Sequence, residues 1–142
     1  MVNRILVPTD GSEYSHRAML TAMEYAKVFG AEIELLHVVS QPPTHMYDFT
    51  VKEYYPLSEG QVTGIGVKVF NATLKGLDTN KIQIKDKVVT GYPAEEILYE
   101  IKRDFDLVIM GSRGHRPLAG ALIGSVTQRV MAEAHCPVMV VK

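Results

Sequence analysis

The chain has 142 residues, 46% of them hydrophobic and 22% charged, with 15 Lys+Arg against 16 Asp+Glu and a formal net charge of −1. That length fits one domain over residues 1–142 with a single buried core. The charge balance speaks against a nucleic-acid module working through bulk positive charge, and no apolar run approaches the ~18 residues of a membrane span. One cysteine, Cys136, allows no internal disulfide. The opening MVNRILVPTDGS lacks the basic and apolar regions of a signal peptide, so a cytoplasmic protein is expected, without nucleic-acid or membrane partners.

Arg4 to Pro8 reads as a short buried strand running into the turn chemistry of Thr9-Asp10-Gly11-Ser12. Ser12 can cap a helix in which Ala18, Met19, Ala22, Met23, Ala26 and Phe29 recur at helical spacing, and Gly30 supplies the stop. Ile33 to Val39 is a second buried-type strand, ended by Pro42-Pro43. Residues 41–60 are irregular and carry Tyr47, Phe49, Tyr54 and Tyr55, which could cover a pocket or merely pack a long loop. A second helix follows, with Val62, Ile65, Val69, Phe70 and Leu74 on one face; Gly64 and Gly66 weaken it. Ile82, Ile84 and Val88-Val89 suggest a third strand. Pro93 then opens a helix burying Ile97, Leu98 and Ile101, because the first helical position needs no N–H donor. Leu107 to Met110 is a fourth strand, a helix runs from about Ser125 to Ala134, and Pro137 introduces a last strand, Val138 to Val141.

Strands alternating with helices predict an α/β fold: a five-stranded parallel doubly wound sheet, strand order 3-2-1-4-5, with helices on both faces. The winding direction changes between the first and fourth strands, and ligands of such sheets bind at the carboxyl ends of that pair. The loops expected there are Pro8-Thr9-Asp10-Gly11 and the glycine-rich run after Met110. In that run, glycines expose main-chain N–H groups, and Gly124-Ser125 sits where a helix starts, a place that favours an anion. Ser125 and Thr127 could add hydroxyl donors, and Arg113 and Arg116 positive charge. The chain has neither a P-loop G-x-x-x-x-G-K-[ST] nor a G-x-G-x-x-G after the first strand, so the phosphate site is expected after the fourth.

Gly111, Gly114, Gly124 and Ser125 meet the spacing G-x2-G-x9-G-[ST] without a gap, and here the sequence resembles the universal stress protein family. The likeness extends over ILVPTDGSE, LLHVV, GYPAEEI, DLVIMGSRG and CPVMVVK, so over essentially the whole chain. The resemblance implies an adenine nucleotide alpha hydrolase-like fold and a homodimer that binds ATP, with or without Mg²⁺. Asp10 matches the aspartate that holds the ribose or its metal, and Val38 the position whose backbone reads the adenine edge. Gly111 and Gly114 match the ribose and phosphate loop, and Gly124, Ser125 and Val126 the phosphate cradle. With Pro8, Thr9, Met110, Arg113 and Thr127 from the same loops, these form the candidate site. Relatives often carry histidine where Arg113 stands.

Plainer readings stand beside these. Asp10 could be a turn residue only; its place at the switch point favours a ligand role. His37 reads as a satisfied strand residue, His16 as an exposed helix residue, and His115 as a loop residue without catalysis. Cys136 reads as small apolar filler. The apolar last strand would lie at a sheet edge, a liability that pairing with its copy across a two-fold axis removes, as in the family's dimer. Three functions remain open: an ATP-binding regulator or sensor of a stress response, which is favoured; a slow ATPase; and a nucleotide-free dimeric interaction protein.

Overall fold

A computed structural model describes residues 1–40, 56–115, 119–120 and 122–142. The aromatic cluster Tyr47–Tyr55, Pro42-Pro43 and Arg116 lie outside the described residues. The elements alternate as expected: β1 Arg4–Pro8, α1 Glu13–Phe29, β2 Glu32–Ser40, α2 Glu59–Leu74, β3 Ile84–Gly91, α3 Pro93–Ile101, β4 Leu107–Gly111, α4 Ser125–Glu133 and β5 Val138–Val141. All strand pairs are parallel, in the order β3-β2-β1-β4-β5.

Side chains alternate along the strands, and that alternation builds two cores. Ile5, Val7, Ile33, Leu35, Leu107 and Ile109 face α1 and Phe70 of α2. Leu6, Leu36, Val38, Val108 and Met110 face Ile97 and Ile101 of α3 and Val130 of α4. β4 is buried at every position, as its composition predicts. Because α1 covers one face and α4 the other, the chain leaves β1 and β4 in opposite directions, and a crevice opens between their carboxyl ends.

Local chemistry sets the helix ends. Ser12 caps α1 by accepting from Ser15 N, and Gly30 stops it in the left-handed region, where a side chain would be strained. Ser58 and Gln61 form a reciprocal capping box on α2. α3 starts with Pro93 and carries Glu95 and Glu96 in its first turn.

Two helices differ from the sequence expectation. Phe29 sits 42% exposed at the end of α1 and contacts Tyr25, not the core. In α2 the fully buried positions are Gly66, Phe70 and Thr73, while Val62, Ile65, Val69 and Leu74 are only partly covered. Gly66 belongs there because a Cβ would meet the Val88 side chain at 3.0–3.2 Å, so its bareness seats α2 on β3.

Candidate functional site

Pro8, Thr9, Asp10, Val38, Met110, Gly111, Arg113, Gly114, Gly124, Ser125, Val126 and Thr127 all line one cavity of about 620 Å³ at the carboxyl ends of β1 and β4. That volume falls within the ~300–1,000 Å³ of small-molecule sites. The structure adds residues to the wall that the sequence did not single out: Leu36, Ser40, Pro93 and Ile97 on the β2–α3 side, and Ser15, Ile123 and Gln128 nearer the loops. No local pattern marks them; they are brought there by strand order.

The loops are tied to each other before any ligand is considered. Asp10 Oδ1 accepts from Ser12 N and Ser15 Oγ, each at 2.9 Å, and Oδ2 accepts from His115 N at 3.1 Å. Burial pushes the Asp10 carboxyl up, but these hydrogen bonds and the nearby His115 outweigh it and hold the group below its ordinary range. Asp10 is therefore an ionised fastener of both loops. His115 Nε2 also lies 2.8 Å from Asp10 O. Thr9 Oγ1 meets Thr73 Oγ1 at 2.6 Å, and His16 Nδ1 meets Thr73 O at 2.8 Å, so α2 is clamped to the β1–α1 turn. His16 is thus a half-buried, satisfied residue, not the exposed one its helical position suggested. His37 is satisfied as expected, its Nδ1 lying 2.8 Å from Thr9 O. Cys136 is half-buried beside the α3–α4 core, and burial pushes its thiol up.

The glycines divide by the reason for their bareness. A Cβ on Gly111 would lie 2.8 Å from Tyr14 Cβ, so that glycine lets α1 approach β4. A Cβ on Gly114 would run into Asp10 Oδ2. At Gly124 the nearest atoms are Ser112 O at 3.6 Å and Arg113 Cα at 3.7 Å, ordinary contact, with φ at −67°. Among the described residues nothing demands a glycine there.

Gly124 is the N-cap of α4 and has no side chain to cap it, and among the described residues no other side chain does so. Its own N–H goes to Ser112 O at 2.7 Å, and Gly124 O accepts from Gln128 N. The N–H groups of the first turn, Ser125 to Thr127, have no acceptor within the helix, and the helix carries no acid in that turn to offset its dipole. Ser125 is exposed at the mouth. Thr127 departs from the sequence expectation: its hydroxyl is buried and donates to Gly111 O at 2.9 Å, so it fastens the loop to β4 and is not available as a donor in the cleft. The Arg113 Nε donates to Leu122 O at 3.3 Å and spans the loop.

The family model for the universal stress protein family matches residues 1–142. The chain belongs to the universal stress protein family. Universal stress protein MJ0531 of Methanocaldococcus jannaschii is 33% identical over 143 residues, covering 100% of this chain and 83% of the relative. The solved structure of MJ0577, also from Methanocaldococcus jannaschii, superposes with a TM-score of 0.79 at 30% identity, covering 100% of this chain and 96% of that one. Two more distant family members share the fold. A universal stress protein in complex with cAMP has a TM-score of 0.64 at 23% identity, covering 99% of this chain and 97% of that one. An Arabidopsis thaliana member with AMP bound has a TM-score of 0.63 at 20% identity, covering 99% and 91%. In this universal stress protein, the signature glycines and the serine after them all reach the cavity that the fold itself provides.

Proposed function

We propose that this universal stress protein binds ATP in the β1–β4 cleft and acts as a nucleotide-dependent regulator or sensor in a stress response. One observation carries the reading: the first turn of α4 opens into the cavity with no cap from the described residues, beside a glycine whose bareness none of their contacts requires. Such a turn suits a phosphate, which accepts from several main-chain N–H groups at once and is favoured by the helix dipole. The apolar wall of Val38, Pro93 and Ile97 suits a flat base, and the AMP and cAMP complexes of two family members favour adenine.

Binding is favoured over turnover by the state of the would-be bases. Hydrolysis needs a group that orients water beside the terminal phosphate. Asp10 and His115 are the candidates, and each is committed to the other's loop. Among the described residues Asp10 is the one carboxylate lining the cavity, and they hold no group of three His, Cys, Asp or Glu side chains that could grip a metal. A Mg²⁺ arriving with ATP would keep its phosphate oxygens and waters, with Asp10 as the carboxylate that the described residues could offer it.

The same reading takes residues 1–142 as one nucleotide-binding domain, working in the cytoplasm. It takes the assembly to be a homodimer through 138–141, since β5 ends the sheet and each of its residues is only partly covered. Among the described residues no helix is long and apolar enough to cross a membrane. Acid extraction of natively purified protein tests the function. ATP in the extract supports binding without turnover, and ADP alone favours hydrolysis. An empty extract with no heat on titrating ATP overturns the reading and favours an interaction protein.

A further inference from the structure

Glu34 interrupts the apolar run of β2 on the face that packs against α3. It is 7% exposed, and among the described residues its buried Oε1 has no hydrogen-bond partner. Glu100, 4% exposed on the buried side of α3, lies within hydrogen-bonding reach of it. The cations around them are shared unequally. Lys87 Nζ of β3 sits 2.8 Å from Glu100 Oε2, and Arg103 Nη1 lies 3.7 Å from Oε1. Among the described residues Glu34 pairs directly with Arg4 of β1 alone, at 3.9 Å, which also faces Glu32 of β2 at 3.7 Å, and it feels the charge of Lys87, whose contact is with Glu100. Lys85 of β3 is taken by Glu32 at 3.2 Å. Asp86 and Asp104 complete the charged groups lining this second hollow, and both are acidic.

Two carboxylates in contact, one with a buried bare oxygen, cannot both ionise cheaply. The cations settle which one keeps the charge. Glu100 is ionised, and a proton on Glu34 gives the pair the donor that no neighbour supplies. We propose that Glu34 and Glu100 share one proton that fastens α3 to β2, and that its release loosens the apolar wall of the nucleotide cleft.

The link to the cleft is short. Glu34 and Val38 stand on the same face of β2, and Glu100 follows Ile97 by about one turn of α3; Val38 and Ile97 both line the cavity. This last step rests on the cleft being a nucleotide site. Burial first, then the hydrogen bond and charge of Glu100, push the Glu34 carboxyl up to about 7. Burial works against Glu100 too, but hydrogen bonds from Lys87 and Glu34 outweigh it and hold that carboxyl low. A raised folded-state value means the fastening is complete below the unfolded carboxyl range and is lost as pH rises through about 7.

Carbon-13 NMR of glutamate-labelled protein follows the shared proton directly, with no nucleotide present. The Glu34 side-chain carbon should titrate near neutrality while Glu100 stays ionised, and the protection factors of the Ile97 and Ile101 amides should fall between pH 6 and 8. In Glu34→Gln, whose amide donates at every pH, protection should stay flat. ATP affinity in the wild type should drop about fivefold over that interval, the worth of one ordinary hydrogen bond, and hold steady in Glu34→Gln. A Glu34 carbon titrating in the ordinary carboxyl range, or unchanged protection in the wild type, overturns the shared proton. An equal pH slope of ATP affinity in both proteins overturns its reach to the cleft. A wild type that binds no ATP at any pH contradicts the nucleotide reading instead, while the carbon titration and exchange still decide the proton.

Discussion

The main-chain N–H of His115 donates to Asp10 Oδ2 across a sequence separation of 105 residues, and that bond joins the two loops of the cleft. The carboxylate also holds Ser12 N and Ser15 Oγ, at the start of α1. Asp10→Ala should therefore cost about 2 kcal/mol of stability, as expected for charge-assisted hydrogen bonds that leave donors unpaired. Asp10→Asn, which keeps acceptor capacity, should cost less. Because the folded carboxyl is depressed, its contribution is present above the ordinary carboxyl range and lost as pH falls through the folded value. Urea unfolding of wild type and Asp10→Ala at pH 7 and at low pH checks this: the gap between them should narrow in acid.

Thr127 and Ser125 lie two positions apart on α4 but do different work. Thr127→Val removes the donor to Gly111 O in a buried place and should lower stability by about 1–2 kcal/mol. Ser125 is exposed and makes no such tie among the described residues, so Ser125→Ala should leave stability within about 0.5 kcal/mol. Its effect should fall on ATP affinity instead. Paired denaturation and calorimetric titration separate the two roles.

The two glycines in the middle of α2 should respond oppositely to alanine. Among the described residues nothing lies within 4 Å of a Cβ on Gly64, so Gly64→Ala should stabilise by about 0.5–1 kcal/mol through helix propensity alone. On Gly66 the Cβ meets three Val88 atoms at 3.0–3.2 Å, so the same change should lose that gain or reverse it. Val88→Ala removes the two γ-carbons but keeps the Cβ at 3.0 Å, so it should restore part of the gain, which a double-mutant cycle on thermal stability will show.

These cases show what the sequence could and could not convey. Element order, sheet order and the place of the cleft were legible because β4 is apolar throughout and hands over directly to a glycine-rich run. The candidate residues at the cleft were legible for the same reason: loops at a switch point have to converge. Side-chain roles set by distant partners were not. Thr73, outside the apolar face read from the sequence, is buried because its hydroxyl meets Thr9, 64 residues earlier. His16 looked exposed until the end of α2 supplied its acceptor. Thr127 looked like a ligand donor, but β4 claims its hydroxyl. Glu34 went unremarked because Glu100 lies on a different element and only packing brings the two together. Periodicity reports which face is covered, not which polar group answers another across the fold.

ATP titration of Gly124→Val, read beside its thermal unfolding, tests the central claim most directly. A Cβ at that position meets the described residues only at ordinary contact distance, so the fold should melt within a few degrees of the wild type. The same side chain stands at the uncapped start of α4 and should bar the phosphates, lowering ATP affinity by about 100-fold or more, the worth of two or more hydrogen bonds to a charged group. A well-folded variant that binds ATP as tightly as the wild type would show that the helix start is not where the polyphosphate goes.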